Sequence, residues 1–229
     1  MIKTFVLAAV AGSLSLLFAQ EETADHRLRR SAEVFNEIMA TPDQGIPSDL
    51  LNKARCVVII PGVKKGAFVV GGEYGRGYAE CRHHGDWTAP AAVKLTGGSF
   101  GFQIGGSSTD LVLLVMNQHG MDRLMGDKFT IGADASAAAG PVGRTAEAAT
   151  DATLNAEILS WSRTRGAFAG VSLNGAVLAP DESEDRKLYG HDVHSRAILE
   201  GRESAPMPQN PLTAALDRYS NGGNADRSK

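Results

Sequence analysis

The chain has 229 residues, a formal net charge of −3 and 43% hydrophobic residues, enough apolar material for one sizeable core and too much for a disordered chain. The acidic balance excludes coating of nucleic acid or anionic membrane by bulk charge, so an anionic partner needs a local basic patch. Twenty-six glycines and few aromatics suit a β-rich protein with tight turns.

Residues 1–19 read as a secretory signal peptide. Lys3 supplies the positive start, Phe5 to Phe18 is an apolar run, and cleavage is expected near Ala19, before polar Gln20 and Glu21. The run is shorter than the ~20 residues of a membrane span. Loss of Lys3 lowers the net charge to −4. The expected location is exported, periplasmic or secreted.

Asp25 to Met39 carries Leu28, Ala32, Phe35 and Met39 on one helical stripe, with Arg27, Arg29, Arg30, Glu33 and Glu37 on the other side. Such a stripe packs on a core or lies in a membrane interface. Thr41-Pro42 ends this helix, and Pro47 opens a short second one, Ser48 to Ala54. Cys56 to Ile60 is a buried strand that Pro61-Gly62 is expected to end. Ala67–Gly72, Gly77–Arg82, Ala92–Leu95, Phe100–Gly105 and Leu111–Met116 read as further strands. His119–Met125 reads as two helical turns closed by Gly126, and Phe129–Ala133 returns to sheet. Asp134–Gly143 is open between states. Glu157–Arg163 and Ala167–Leu178 are expected to form a hairpin. Asp181–Lys187 is a charged loop or helix, Val193–Leu199 and Leu212–Tyr219 are short helices, and 220–229 is a flexible tail. The fold class is α+β: a curved antiparallel sheet, barrel- or sandwich-like, with an N-terminal helical pair and short flanking helices.

Cys56 and Cys81 are the two cysteines. In an oxidising compartment they form a disulfide, or they remain two buried thiols in strands. Residues 53–94 are the basic part of the chain, with Lys53, Arg55, Lys64, Lys65, Arg76, Arg82 and Lys94 against Glu73, Glu80 and Asp86. Lys64-Lys65 follows a Pro-Gly turn and could grip a phosphate.

Three chemical motifs fail their context. Gly97-Gly98-Ser99-Phe100-Gly101 has the spacing of a nucleophile elbow, with Asp110 and His119 downstream, but the residues after Ser99 alternate as a strand and not as a helix. A small hydrolase at Ser99 is therefore the weakest reading. Gly71 to Gly77 lacks the Lys-Ser/Thr and the helix of a phosphate loop. Cys81, His83 and His84 have no second ligand pair for zinc. No catalytic residue, metal or cofactor is implied.

Taken in order, several segments resemble the SYLF lipid-binding domain. They are Pro61 with Lys64 to Phe68, Gly71 to Gly77, Trp87 to Ala91, Gly97 to Gly105, Thr109-Asp110, Gly132 to Arg144 and Ser162 to Leu173. The resemblance runs from about Ala24 to Leu216. It implies binding of phospholipid or phosphoinositide through the N-terminal helix and nearby basic residues. Mapped here, these are Arg27, Leu28, Arg29, Arg30, Phe35, Lys64 and Lys65. In an envelope compartment the implied partner is an anionic phospholipid surface. Actin, bound by some yeast members, is not expected as a partner, and neither is nucleic acid. A cell-envelope structural or protein-interaction module is the alternative.

Overall fold

A computed structural model describes residues 22–42, 45–68, 70–100, 105–142, 155–164, 167–168 and 173–225. The expected signal peptide lies outside them.

Helix α1 spans Ala24–Met39. Thr23 caps it by accepting the His26 N–H at 3.3 Å, and Asp25 places negative charge in the first turn. Helix α2, Ser48–Lys53, follows Pro47. The sheet strands are β1 (Cys56–Phe68), β2 (Val70–His83), β3 (Asp86–Trp87), β4 (Ala91–Phe100), β5 (Gly105–Val115), β6 (Phe129–Thr130), β7 (Ala137–Ala139), β8 (Ile158–Thr164), β9 (Ala167–Phe168) and β10 (Val177–Pro180). Helix α3, Gln118–Leu124, lies between β5 and β6. Helices α4 (Glu182–Tyr189), α5 (Ser195–Leu199) and α6 (Pro211–Ala225) follow β10.

The strand order is β6-β10-β4-β2-β1-β5-β8-β7, antiparallel except for the parallel β7–β8 pair. The two outer strands, β6 and β7, are separated by residues 131–136 alone, a reach of at most ~25 Å even fully extended. The sheet must therefore curl until its edges approach, and it forms the expected curved sheet as a half-barrel. Cys56, Val58, Ile60, Leu95, Leu111, Leu113 and Phe129 fill its inner face. Val57, Ile59, Tyr78, Val112, Leu114 and Trp161 form its outer face, covered by α1, α2 and α6.

Pro61-Gly62 does not end β1. The register shifts there, and the strand continues to Phe68. Pro61 has no N–H to give, and Gly62 takes φ +58° and donates its N–H to Asp110 at 2.9 Å, so the pair makes a bulge and not a stop. Gly77 lets β2 cross β1 closely, since a Cβ there would lie 1.9 Å from the Ile59 carbonyl oxygen. The expected 157–178 hairpin is only partly formed. Phe168 pairs with Arg163, but Val177–Pro180 pairs with β4 and β6 on the other side of the sheet. Helix α6 also runs past Tyr219 to Ala225, and its buried Ser220 accepts the Trp87 indole N–H at 3.2 Å.

Cys56 and Cys81 are directly opposite in β1 and β2, with Cα atoms 3.9 Å apart, and are disulfide-bonded. The bond lies wholly in the inner core.

Two carboxyls are sealed under the helices. Glu80, fully buried, accepts from Asn210 at 2.9 Å and Thr213 at 2.8 Å, and burial pushes its pKa up to about 8. Asp185 accepts from the Ala92 N–H at 2.6 Å and Ser195 at 2.7 Å, and burial pushes it up to about 7. A raised carboxyl pKa means the folded chain holds a proton that the unfolded chain has released. The stability this contributes is full below the unfolded values of 4.5 and 3.8 and is lost as pH rises through about 7 to 8. Denaturant unfolding should therefore show lower stability at pH 9 than at pH 5. Glu80→Gln, which keeps a neutral acceptor, should reduce that loss by at most about 4 kcal/mol. Equal pH dependence in the variant and the parent would contradict this assignment.

Candidate functional site

The apolar stripe of α1 faces the sheet. Leu28, Val34, Phe35 and Ile38 are fully buried, and the Phe35 ring meets Tyr219 of α6 edge-on at 5.8 Å. This corrects the membrane-facing assignment of Leu28 and Phe35. Their periodicity serves the outer core, where Val57, Ile59 and Trp161 need cover.

Arg27 is corrected in the same way. It is 7% exposed, ion-paired with buried Glu184 of α4, and donates to the Glu22 carbonyl at 3.1 Å. Arg76 joins the same cluster, 2.9 Å from Asp181 and 3.7 Å from Glu184. The Tyr78 hydroxyl donates to the Ala24 carbonyl at 2.9 Å. These contacts tie α1 to α4 and β2. At the other end of α1, Glu37 pairs with Arg163, which also holds Asp110 at 3.0 Å.

Arg29 and Arg30 stay in solvent. Arg29 pairs with Asp25 at 3.0 Å and Arg30 with Glu33 at 3.6 Å, both along the helix surface. Exposed pairs of this kind hold the guanidinium groups weakly.

Lys64 and Lys65 part company at the β1 bulge. Ile60 and Val63 both face the inner core, so the alternation after the bulge turns Lys65 inward and Lys64 outward. Lys65 lies 2.7 Å from Glu73, its partner across β1–β2. Lys64 is exposed on the outer face and has no ion pair among the described residues. The two lysines are therefore not a double grip on one phosphate. Opposite Lys64 stands Tyr74, which is 46% exposed. Strand alternation in 70–83 is the signal that could have singled out Tyr74, but the glycines around it mask that pattern.

The motifs read as unproductive stay apart. Ser99 sits in β4 paired with Gly71, not on a strand-to-helix turn. Asp110 is taken by Gly62 and Arg163, and His119 by Glu157. Cys81 is consumed by the disulfide, and no metal-binding group of three His, Cys, Asp or Glu occurs among the described residues. No helix among them is long and apolar enough to cross a membrane. A cleft of about 720 Å³ opens at the β2–β3 turn, lined by Trp87, His83, Asp86, Glu203, Met207 and Asp217. Its acidic groups make it unsuited to an anion.

A family model described as "Ysc84: Las17-binding protein actin regulator" matches residues 96–219. LAS seventeen-binding protein 3 of Saccharomyces cerevisiae is 35% identical over 191 residues, which cover 79% of this chain and 41% of that protein. SH3 domain-containing YSC84-like protein 1 of Homo sapiens is 32% identical over 189 residues, covering 81% of this chain and 55% of that protein. Protein YSC84 of Saccharomyces cerevisiae is 34% identical over 179 residues, 76% of this chain and 38% of that protein. The chain thus spans about half or less of the length of these relatives.

The packing of α1 makes Phe35 a stability residue. Phe35→Ala should destabilise the fold by about 3–5 kcal/mol in denaturant unfolding, the range for emptying a core aromatic site. A change under about 1 kcal/mol would mean that the ring is not packed as described.

Proposed function

The chain belongs to the Ysc84 (SYLF) family, and from that premise we propose that it is an exported protein that binds anionic phospholipid surfaces by its exposed cations. The observation that carries this reading is that Arg29, Arg30 and Lys64 stay in water, without buried partners, on a chain whose net charge is negative. Local positive charge on an acidic protein is the pattern expected where an anionic surface is met by one patch. Arg27, Leu28 and Phe35 support the site from below by fixing α1, and Lys65 is neutralised by Glu73.

Export is supported by the buried Cys56–Cys81 bond, which suits an oxidising compartment. The actin regulation named in the family description is left out of this reading, because an exported chain meets no actin.

Liposome co-sedimentation tests the proposal. The mature protein should pellet with vesicles containing phosphatidylserine or phosphatidylglycerol and not with pure phosphatidylcholine. Binding should weaken as salt shortens the Debye length. At about 1 kcal/mol per cation near the surface, replacing Arg29, Arg30 and Lys64 by Ala should weaken binding about a hundred-fold. Equal binding to neutral and anionic vesicles, or none to either, would overturn the reading.

A further inference from the structure

The end of the sheet that α1 leaves uncovered is graded in chemistry along its strands. Tyr78 is the last outer-face residue of β2 beneath α1. Steps of two residues from it stay on that face and advance about 7 Å each. The first step reaches Arg76, paired across the strands with Lys94 of β4. The next is a row of four exposed residues on four strands: Ser108, Lys64, Tyr74 and Thr96. Beyond it the register aligns Gly106, Gly66, Gly72 and Gly98.

Among the described residues, Tyr74 is the single large apolar side chain left exposed. It is ringed by cations. Lys64 is directly opposite, Lys94 is on the diagonal, and the Arg76 guanidinium lies 5.9 Å from the ring centroid. Neither Lys64 nor Lys94 has an ion-pair partner among the described residues, whereas Arg76 is tied to Asp181 and Glu184. The result is a net positive aromatic platform on regular strands.

We propose that this sheet end is the membrane contact, meeting an anionic bilayer end-on with the β1, β2 and β4 strands steeply inclined to its plane. The order of chemistry along the strands is the order met on entering a bilayer. Arg76 and Lys94 form the level next to α1, and Tyr74, level with Lys64, lies about 7 Å further out, in the interface that aromatic residues with a polar tip favour, with the flexible Lys64 side chain free to reach back to the phosphates. The proposal rests on the phospholipid reading above and adds to it the surface and its orientation. Helix α1 then remains packed on the sheet, and its solvent-facing Arg29 and Arg30 add to the attraction.

Tyr74→Trp places a reporter at the platform, while native Trp87 and Trp161 are 7% and 2% exposed. With vesicles of phosphatidylcholine and 30% phosphatidylserine, the variant's emission should shift to the blue and be quenched by brominated acyl chains. The parent protein should show neither change. Lys64→Ala with Lys94→Ala should weaken binding to these vesicles about thirty-fold and leave the melting temperature unchanged. If the parent binds but the indole neither shifts nor quenches and the double variant binds normally, this contact is wrong and lipid binding stands. If the parent does not bind, both readings fall.

Discussion

Strand β1 is apolar on both faces, and that constraint organises the molecule. Val58 and Ile60 point one way, Val57 and Ile59 the other, and all four are fully or almost fully buried. A strand of this kind needs two covers. The inner cover comes from the sheet itself, which curls until β6 and β7 are joined by six residues. The outer cover comes from α1, α2 and α6. The amphipathic stripe of α1 is spent in meeting this demand. Burying Leu28, Val34, Phe35 and Ile38 is worth roughly 6–12 kcal/mol at about 1.5–3 kcal/mol per side chain. Surface attraction of about 1 kcal/mol per cation cannot by itself lift the helix away. The proposed membrane contact is therefore made by what the covers leave exposed.

The buried charges set geometry more than stability. Arg27, Glu184, Arg76 and Asp181 join α1, α4 and β2 in one cluster. Desolvation offsets most of the attraction in such a cluster, while removal of one partner strands the rest. Its effect is to fix where α1 crosses the sheet, and hence where the cover stops. Arg76 belongs both to this cluster and to the surroundings of Tyr74, so the platform is built onto the most constrained part of the outer face.

Local signals are legible where one physical cause acts alone. The end of α1 follows from Thr41-Pro42, and the β1 core follows from an unbroken apolar run. Signals with two causes were not separable. A stripe of Leu28, Phe35 and Met39 is the same pattern whether it meets a sheet or a bilayer, and only the apolar outer face of β1 decides between them. Lys64 and Lys65 are neighbours in sequence, but strand alternation puts them on opposite faces, and the bulge before them decides that Lys64 is the one facing out. The pairing of β10 with β4 joins residues about eighty apart, and no local pattern carries that information. Tyr74 falls between the strands expected at Ala67–Gly72 and Gly77–Arg82, because the glycines beside it hide the alternation of β2.

Helix α1 stays packed on the sheet, and the uncovered end of the sheet is the proposed membrane-facing surface. Amide hydrogen exchange with and without anionic vesicles tests it most directly, because it reports on both elements in one sample. The α1 amides, Ala24 to Met39, should keep their protection when vesicles are added, while exchange slows in the outer parts of β1, β2 and β4. Loss of protection throughout α1 on binding, with no change in those strands, would mean that the helix leaves the sheet to enter the bilayer and would contradict the account.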